Sequence, residues 1–324
     1  MHNRTFSLVA LTMLQASACS QDVNFGLIES PTVVDEEEEE FYLDTGAPDD
    51  TGLPPEEEYE DQNPVEDEEE EPELEDTGEV DPPDEDDCEN TSDKVYVIDK
   101  DTDSLYLFNP ETLGLNLLGE LDCDYWTSPG SMAVARDGYG YVRYSDDYVY
   151  AVDLQTLECT QTDYNDNQTN FGSFGMGYAT NNSETWRDTL YVANEQRVAS
   201  IDTDTWELNV VGTLSSQSEL TGNADGELWA FLPLETPAEL TRINTTNGNT
   251  VETIKMTNFP DTSNIDTFAF VTWGGDFWLF VREYGMGTST DVYQVTTDGQ
   301  MTKVSSNIGI NVVGAGVSTC APTE

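Results

Sequence analysis

The chain has 324 residues, of which 66 are acidic and 11 are basic, so its formal net charge at pH 7 is −55. This charge argues against nucleic acid as a partner, because phosphates would be repelled. The only histidine is His2, in a segment that we expect to be removed. The mature chain therefore has no imidazole for a catalytic triad or dyad.

Residues 1–18 are predicted to be a secretory signal peptide. One arginine, Arg4, precedes a short apolar run over residues 6–14. A membrane-spanning helix needs about 20 apolar residues, and this run is shorter. A short basic start followed by a short apolar run is typical of a secretion signal.

Small residues at 16–18 lead directly into Cys19. This pattern resembles the bacterial lipobox, although Ala16 stands where Leu or Val is usual. The resemblance implies that Cys19 carries lipid and anchors the protein to a membrane. Ser20, and not Asp, follows the cysteine, which by the same resemblance implies the outer membrane, with the periplasmic or cell-surface face left open. The alternative is cleavage near Ala18 with an unmodified cysteine.

Residues 19–93 are predicted to be the lipidated cysteine followed by a disordered acidic tether. From Ser20 to Asp93 there are 33 acidic residues, no Lys or Arg, and eight of the 14 prolines. A segment of this composition contains too few apolar residues to form a core that would offset the entropy lost on ordering the chain. The triplet Asp-Thr-Gly recurs three times, and acidic linkers with this triplet resemble those of myxobacterial surface lipoproteins. The copies start at Asp44, Asp50 and Asp76.

Residues 94–324 are predicted to contain five copies of one β unit. A strand of small residues recurs at intervals of 43, 46, 47 and 45 residues, starting at Ser131, Phe174, Leu220, Thr267 and Val312. Four short strands in about 45 residues are typical of a propeller blade. Small residues suit the innermost strand, because the blades crowd at the central channel.

Each unit also contains an alternating strand that ends at a turn residue able to bond the backbone two residues on. These turn residues are Asn109, Asp153, Asp202, Asn244 and Thr296. The third copy, residues 189–205, resembles the YVTN-type propeller repeat, and the module as a whole resembles propeller lipoproteins of myxobacterial type.

We therefore predict an all-β chain with a single β-propeller of five four-stranded blades. The C-terminal strand Val312–Val317 is expected to complete the first blade beside Lys94–Ile98, which would close the ring and remove its exposed edges. Six blades and a β-sandwich are the alternatives.

Four cysteines remain after Cys19, and export would expose them to oxidising conditions. A Cys88–Cys320 bridge would replace the turn that the first blade lacks, because that blade joins the two chain ends. Cys123–Cys159 follows by elimination, although the strand assignment allows these two cysteines to lie on opposite faces of the ring.

Candidate ligand and metal sites come from tryptophans in predicted loops and from one cluster of aspartates. Trp126 and Trp186 lie in predicted loops and are the ligand-binding candidates, whereas Trp229 and Trp278 alternate within strands and are expected to pack between blades. Asp99, Asp101 and Asp103 resemble the start of an EF-hand calcium loop. However, Ser104 and Pro110 replace its glycine and its final glutamate, so we predict a plain turn and no metal site. No cofactor is predicted, and calcium is the alternative.

The leading functional prediction is a lipid-anchored binding or scaffold protein of the cell envelope, whose propeller is presented to a protein or glycan partner. One alternative is an enzyme, either a calcium-assisted polysaccharide lyase or a carboxylate hydrolase. It predicts a deep channel mouth where acidic residues converge with some of Arg136, Arg143, Arg187 and Arg282. The other alternative is a structural envelope component without a discrete ligand.

Overall fold

A computed structural model describes residues 88, 90–124, 126–166, 170–181, 187–285 and 289–324. The predicted signal peptide, the predicted lipidation site Cys19, the predicted tether up to residue 87 and the candidate Trp186 lie outside the described residues. Within the described part, no helix is both long and apolar enough to span a bilayer.

The described residues form five four-stranded antiparallel sheets arranged as a five-bladed β-propeller, which confirms the predicted fold. From the axis outward, blade 1 contains β20 (Val312–Gly316), β1 (Val95–Asp99), β2 (Ser104–Asn109) and β3 (Gly114–Glu120). Blade 2 contains β4 (Pro129–Val134), β5 (Tyr139–Tyr144), β6 (Val149–Asp153) and β7 (Cys159–Gln161). Blade 3 contains β8 (Gly175–Thr180), β9 (Asp188–Ala193), β10 (Arg197–Ile201) and β11 (Leu208–Thr213). Blade 4 contains β12 (Glu219–Gly222), β13 (Leu228–Leu232), β14 (Ala238–Ile243) and β15 (Thr250–Met256). Blade 5 contains β16 (Ile265–Trp273), β17 (Asp276–Glu283), β18 (Asp291–Val295) and β19 (Met301–Ser305), and a 3-10 turn, Thr262–Asn264, precedes it.

The ring closes through blade 1, which is built from both ends of the described chain. Strand β20 pairs antiparallel with β1, with Tyr96 opposite Gly316 and Ile98 opposite Gly314. Each inner strand also contacts the inner strands of both neighbouring blades. The predicted closure by the C-terminal strand is therefore confirmed.

Small residues let the inner strands approach one another closely. A side chain at Gly314 would bring its Cβ to 2.9 Å from the Met132 nitrogen, and one at Gly175 would collide with the backbone of residue 218. Hydroxyl groups satisfy inner-strand N–H groups across blades: Met176 N–H donates to Ser131 Oγ (3.1 Å) and Thr272 N–H donates to Thr221 Oγ1 (3.1 Å). These bonds matter because a buried N–H without an acceptor is costly.

Apolar side chains fill the space between blades. Between blades 1 and 5, the ring centroid of Phe108 lies 5.8 Å from that of Trp278 and 5.1 Å from that of Phe280. Between blades 4 and 5, Trp229 lies 4.8 Å from Phe277. All of these side chains are buried, and each large apolar side chain contributes about 1.5–3 kcal/mol by its burial. Trp229 and Trp278 thus pack between blades, as predicted.

The predicted turn residue accepts a backbone hydrogen bond in every blade, from two residues on in blades 2, 3 and 4, three on in blade 1 and four on in blade 5. Asp153 Oδ1 accepts hydrogen bonds from the backbone N–H groups of Gln155 (2.8 Å) and Thr156 (2.9 Å), and these bonds lower the pKa of Asp153. The equivalent acceptors in the other blades are the side chains of Asn109, Asp202, Asn244 and Thr296.

The five inner strands run in the same direction, so the ring has two distinct faces. We call the face where the inner strands start the upper face and the face where they end the lower face. The loops that link successive blades lie on the upper face, as do the turns between the second and third strands of each blade.

The two ends of the described chain are joined on the lower face. Cys88 and Cys320 form a disulfide with Cα atoms 5.8 Å apart, which confirms the predicted pair. Beside it, Arg136 donates to both carboxylate oxygens of Asp188 (2.9 and 2.7 Å) and to Thr319 Oγ1 (2.9 Å). Blades 1, 2 and 3 are thereby linked at one point.

The second predicted disulfide, Cys123–Cys159, is also present, with Cα atoms 5.1 Å apart. The loop after β3 passes close to blade 2, where Leu121 is buried in the same apolar cluster as Tyr150. This packing brings Cys123 to the start of β7, and the concern about opposite faces is resolved.

Candidate functional site

The upper end of the central channel forms a polar cavity of about 240 Å³. Four of the five blades contribute to it, because the inner strands converge there. Its polar lining comprises Lys100, Ser128, Arg143, Ser145, Ser173, Gln217, Glu219, Asp266 and Thr267.

Arg143, at the end of β5, is held rigidly in this mouth. Its Nε donates to the Phe174 carbonyl (2.9 Å), and its Nη1 donates to the Tyr144 carbonyl (3.0 Å) and to Asp147 Oδ1 (3.3 Å). The residue is 8% exposed. A guanidinium fixed in this way binds a planar anion with little further loss of entropy.

Glu219, the first residue of β12, is buried at the bottom of the mouth. Ser131 Oγ donates to Glu219 Oε2 at 2.7 Å. Burial raises the pKa of this carboxyl group to about 8, and the Ser131 hydrogen bond and the charge of Arg143 offset only part of that rise. Glu219 is therefore mostly protonated at pH 7, and its acid hydrogen is available to donate a hydrogen bond.

The other charges of the mouth lie at its rim. Asp266 forms an ion pair with Arg282 at 2.9 Å. The side chain of Lys100 is exposed and makes no ion pair with another described residue. The mouth and its rim thus combine two ion pairs, one protonated carboxylic acid and one unpaired cation, in a protein with a large negative charge. The pairs are Arg143–Asp147 and Arg282–Asp266, the acid is Glu219 and the cation is Lys100.

Aromatic side chains stand beside the mouth on the upper face. Trp126 is 87% exposed and lies two residues before Ser128, which lines the cavity. Tyr148 is 43% exposed and lies in the turn that contains Ser145. The two segments are joined, because Ser145 N–H donates to the Ser128 carbonyl at 2.8 Å.

A second depression of about 680 Å³ adjoins the mouth and shares Ser173 and Gln217 with it. Its remaining lining is mostly amides and charged groups: Asn170, Gly172, Asn194, Glu195, Gln196 and Arg197. The guanidinium of Arg197 lies 4.8 Å from the ring centroid of Phe171. Mouth and depression together offer a continuous polar track across the upper face.

The three residues that resemble the start of a calcium loop, Asp99, Asp101 and Asp103, lie at the end of β1 and in the turn that follows it. Asp99 is 4% exposed and accepts hydrogen bonds from Asn311 N–H (2.8 Å), Asp101 N–H (3.3 Å) and Thr102 Oγ1 (2.7 Å). These bonds stabilise the turn between β1 and β2. Among the residues that the structure describes, no three His, Cys, Asp or Glu side chains are grouped so as to hold a metal ion.

The four arginines singled out for an enzyme divide between the faces. Arg143 and Arg282 lie at the upper mouth, whereas Arg136 and Arg187 lie on the lower face. Of the two tryptophan candidates, Trp126 stands beside the mouth. Glu219, the most perturbed carboxyl group at the site, was not predicted, because its partners are distant in sequence: Ser131 is 88 residues away.

No protein-family model and no curated protein matches the chain. Among solved structures, it is similar to a protein of unknown function from Bacteroides caccae, at 9% identity and a TM-score of 0.42, over 70% of this chain and 98% of that one. It is also similar to a chain of a mitotic checkpoint complex, at 12% identity and a TM-score of 0.37, over 67% of this chain and 76% of that chain. Similarity at this level supports no inference about ligand or activity.

Proposed function

We propose that the protein is a lipid-anchored saccharide-binding protein of the bacterial cell envelope, with its binding site on the upper face of the propeller. The observation that carries the proposal is the polar channel mouth bordered by exposed Trp126 and Tyr148. Flat aromatic faces pack against the apolar faces of sugar rings, while amides, hydroxyls and guanidinium groups bond the sugar hydroxyls.

The shape of the upper face also favours a saccharide. The mouth and the adjoining depression share Ser173 and Gln217, so a chain of several sugar units can cross the face with one end in the mouth. Asn194 and Gln196 present amide groups along that track. A folded protein partner would instead be expected to bury a mostly apolar central patch.

The binding role predicts a large effect of Trp126. We expect Trp126→Ala to weaken saccharide binding by about tenfold, since an aromatic contact contributes about 0.5–1.5 kcal/mol beyond area burial. A glycan array screened with the secreted chain identifies the ligand, and isothermal titration calorimetry measures its affinity. Tyr139→Ala is the matched control, because Tyr139 is 42% exposed on the lower face. Equal loss of affinity in both variants would argue against a site on the upper face.

The anchor is proposed from Cys19 and the lipobox resemblance, and two disulfides are compatible with an exported chain. Cells that express the full chain and are fed an alkyne-tagged palmitate should incorporate label, which should disappear in Cys19→Ser. The variant should then leave the outer-membrane fraction, because stable anchoring needs its acyl chains. Label that persists in Cys19→Ser would exclude this cysteine as the lipidation site.

Catalysis is the second candidate function, and Glu219 beside Arg143 is the observation that favours it. A carboxylic acid with a raised pKa is suited to act as a general acid. Titration with an oligosaccharide ligand decides between binding and catalysis. A catalytic mouth would shorten the bound oligosaccharide, and Glu219→Gln would stop that turnover.

A further inference from the structure

We propose that the sugar unit in the channel mouth carries a carboxylate, and that Arg143 and Lys100 bind this group. The inference rests on the proposed saccharide-binding function and names the class of saccharide. It is carried by the geometry of Arg143 and by the charges around it.

Arg143 presents one edge of its guanidinium to the cavity. Its Nε and Nη1 are occupied by two carbonyl groups and Asp147, whereas Nη2 lies beside Gly130, which lines the cavity. A side chain at position 130 would collide with Nη2. Because glycine leaves this space open, Nη2 lies against a residue of the cavity wall, where it can donate to a carboxylate oxygen.

The charges around the cavity leave one cation, Lys100, without an ion-pair partner among the described residues. The carboxylate of Asp266 is paired with Arg282 at 2.9 Å, and Lys100 lines the same cavity without an ion-pair partner among the described side chains. Glu219 adds no charge while it is protonated. A ligand carboxylate would therefore meet the unpaired Lys100, the guanidinium of Arg143, which also pairs with Asp147 at 3.3 Å, and an acid hydrogen.

Protonation of Glu219 is a condition for binding an anion here. Its surroundings are Ser131 on β4, Arg143 on β5 and the Met176 backbone on β8, with Lys100 and Asp266 lining the same cavity. Above the pKa of about 8, the Glu219 carboxylate would repel the ligand carboxylate and compete for Arg143. Affinity for an acidic sugar should thus fall as pH rises through this value.

The overall charge restricts the ligand further. The stretch from Lys94 onward has 33 acidic and 10 basic residues, so a polyanionic chain would be repelled along its length. A saccharide with a single carboxylate at one end avoids this repulsion, because only that end lies in the mouth.

The test uses pairs of sugars that differ in one carboxylate. Cellobiouronic acid is compared with cellobiose, and 3′-sialyllactose with lactose, by calorimetric titration of the Cys19→Ser chain at pH 6.5 and pH 9.5. One acidic sugar should bind at least tenfold more tightly than its neutral partner at pH 6.5, and the preference should vanish at pH 9.5. The two pairs distinguish a uronic acid from a sialic acid.

Variants assign the effect to the mouth. Arg143→Gln and Lys100→Met should each lose the preference, and Lys100→Met serves if Arg143→Gln folds poorly, because Lys100 is exposed. Glu219→Gln should keep the preference at pH 9.5. Lys303→Gln, which alters an ion pair with Asp291 on blade 5, should change nothing.

Two outcomes separate this inference from the proposed function. Equal binding of acidic and neutral sugars would overturn the carboxylate site and leave saccharide binding intact. Absence of binding to any sugar on the array would overturn both.

Discussion

Removal of the Cys88–Cys320 disulfide should lower the free energy of unfolding by about 3–5 kcal/mol. The bridge joins residues 232 positions apart, so the unfolded chain gains much conformational freedom when the bridge is absent. For a domain of this size the melting temperature should fall by roughly 6–20 °C. Differential scanning calorimetry of the double variant Cys88→Ser/Cys320→Ser, which leaves no unpaired thiol from this bridge, measures the change.

The second disulfide is the internal control. Cys123 and Cys159 are 36 positions apart, and the chain-entropy model predicts a loss about 1.5 kcal/mol smaller for Cys123→Ser/Cys159→Ser. If the shorter bridge proved as important as the longer one, ring closure would not be the source of the stability.

Asp188→Asn should lower the free energy of unfolding by about 3–5 kcal/mol, nearly as much as removal of the Cys88–Cys320 disulfide. The side chains of Arg136 and Asp188 are 14% and 9% exposed, so the variant leaves a positive charge largely shielded from water without its bidentate partner. Thr180 and Thr319 donate to the same carboxylate and would also lose charge-assisted hydrogen bonds. Chemical denaturation at constant pH measures the effect.

A surface ion pair provides the comparison for Asp188→Asn. Lys255 is 61% exposed and pairs with Glu239 at 2.9 Å, and exposed pairs of this kind contribute about 0–1 kcal/mol. Lys255→Met should therefore lower the free energy of unfolding by less than about 1 kcal/mol. A loss of similar size in both variants would mean that water screens the Arg136–Asp188 pair.

The architecture was predictable because its signals are local and repeated. Strand alternation, small inner-strand residues and turn acceptors such as Asp153 and Asp202 recur once per blade, and each acts through residues close in sequence. The pairing of Cys88 with Cys320 was also accessible, because blade 1 joins two segments that lack a connecting turn.

The site was less predictable because it is assembled across blades. The small-residue strand of blade 4 was predicted to start at Leu220, whereas β12 starts at Glu219, so the sequence pattern left Glu219 outside the channel. Its pKa is raised by burial, which Ser131 and Arg143 of another blade only partly offset. Glu219 is buried only because the ring closes, and no feature of the nearby sequence distinguishes it from the many other carboxylates of this chain.

The contrast between the two faces has a mechanical consequence. The described chain enters the ring at Cys88, on the face that the disulfide closes, whereas the polar mouth opens on the opposite side. A force applied to the chain before Cys88 would pass through the Cys88–Cys320 bridge into the lower face, away from the loops that line the mouth.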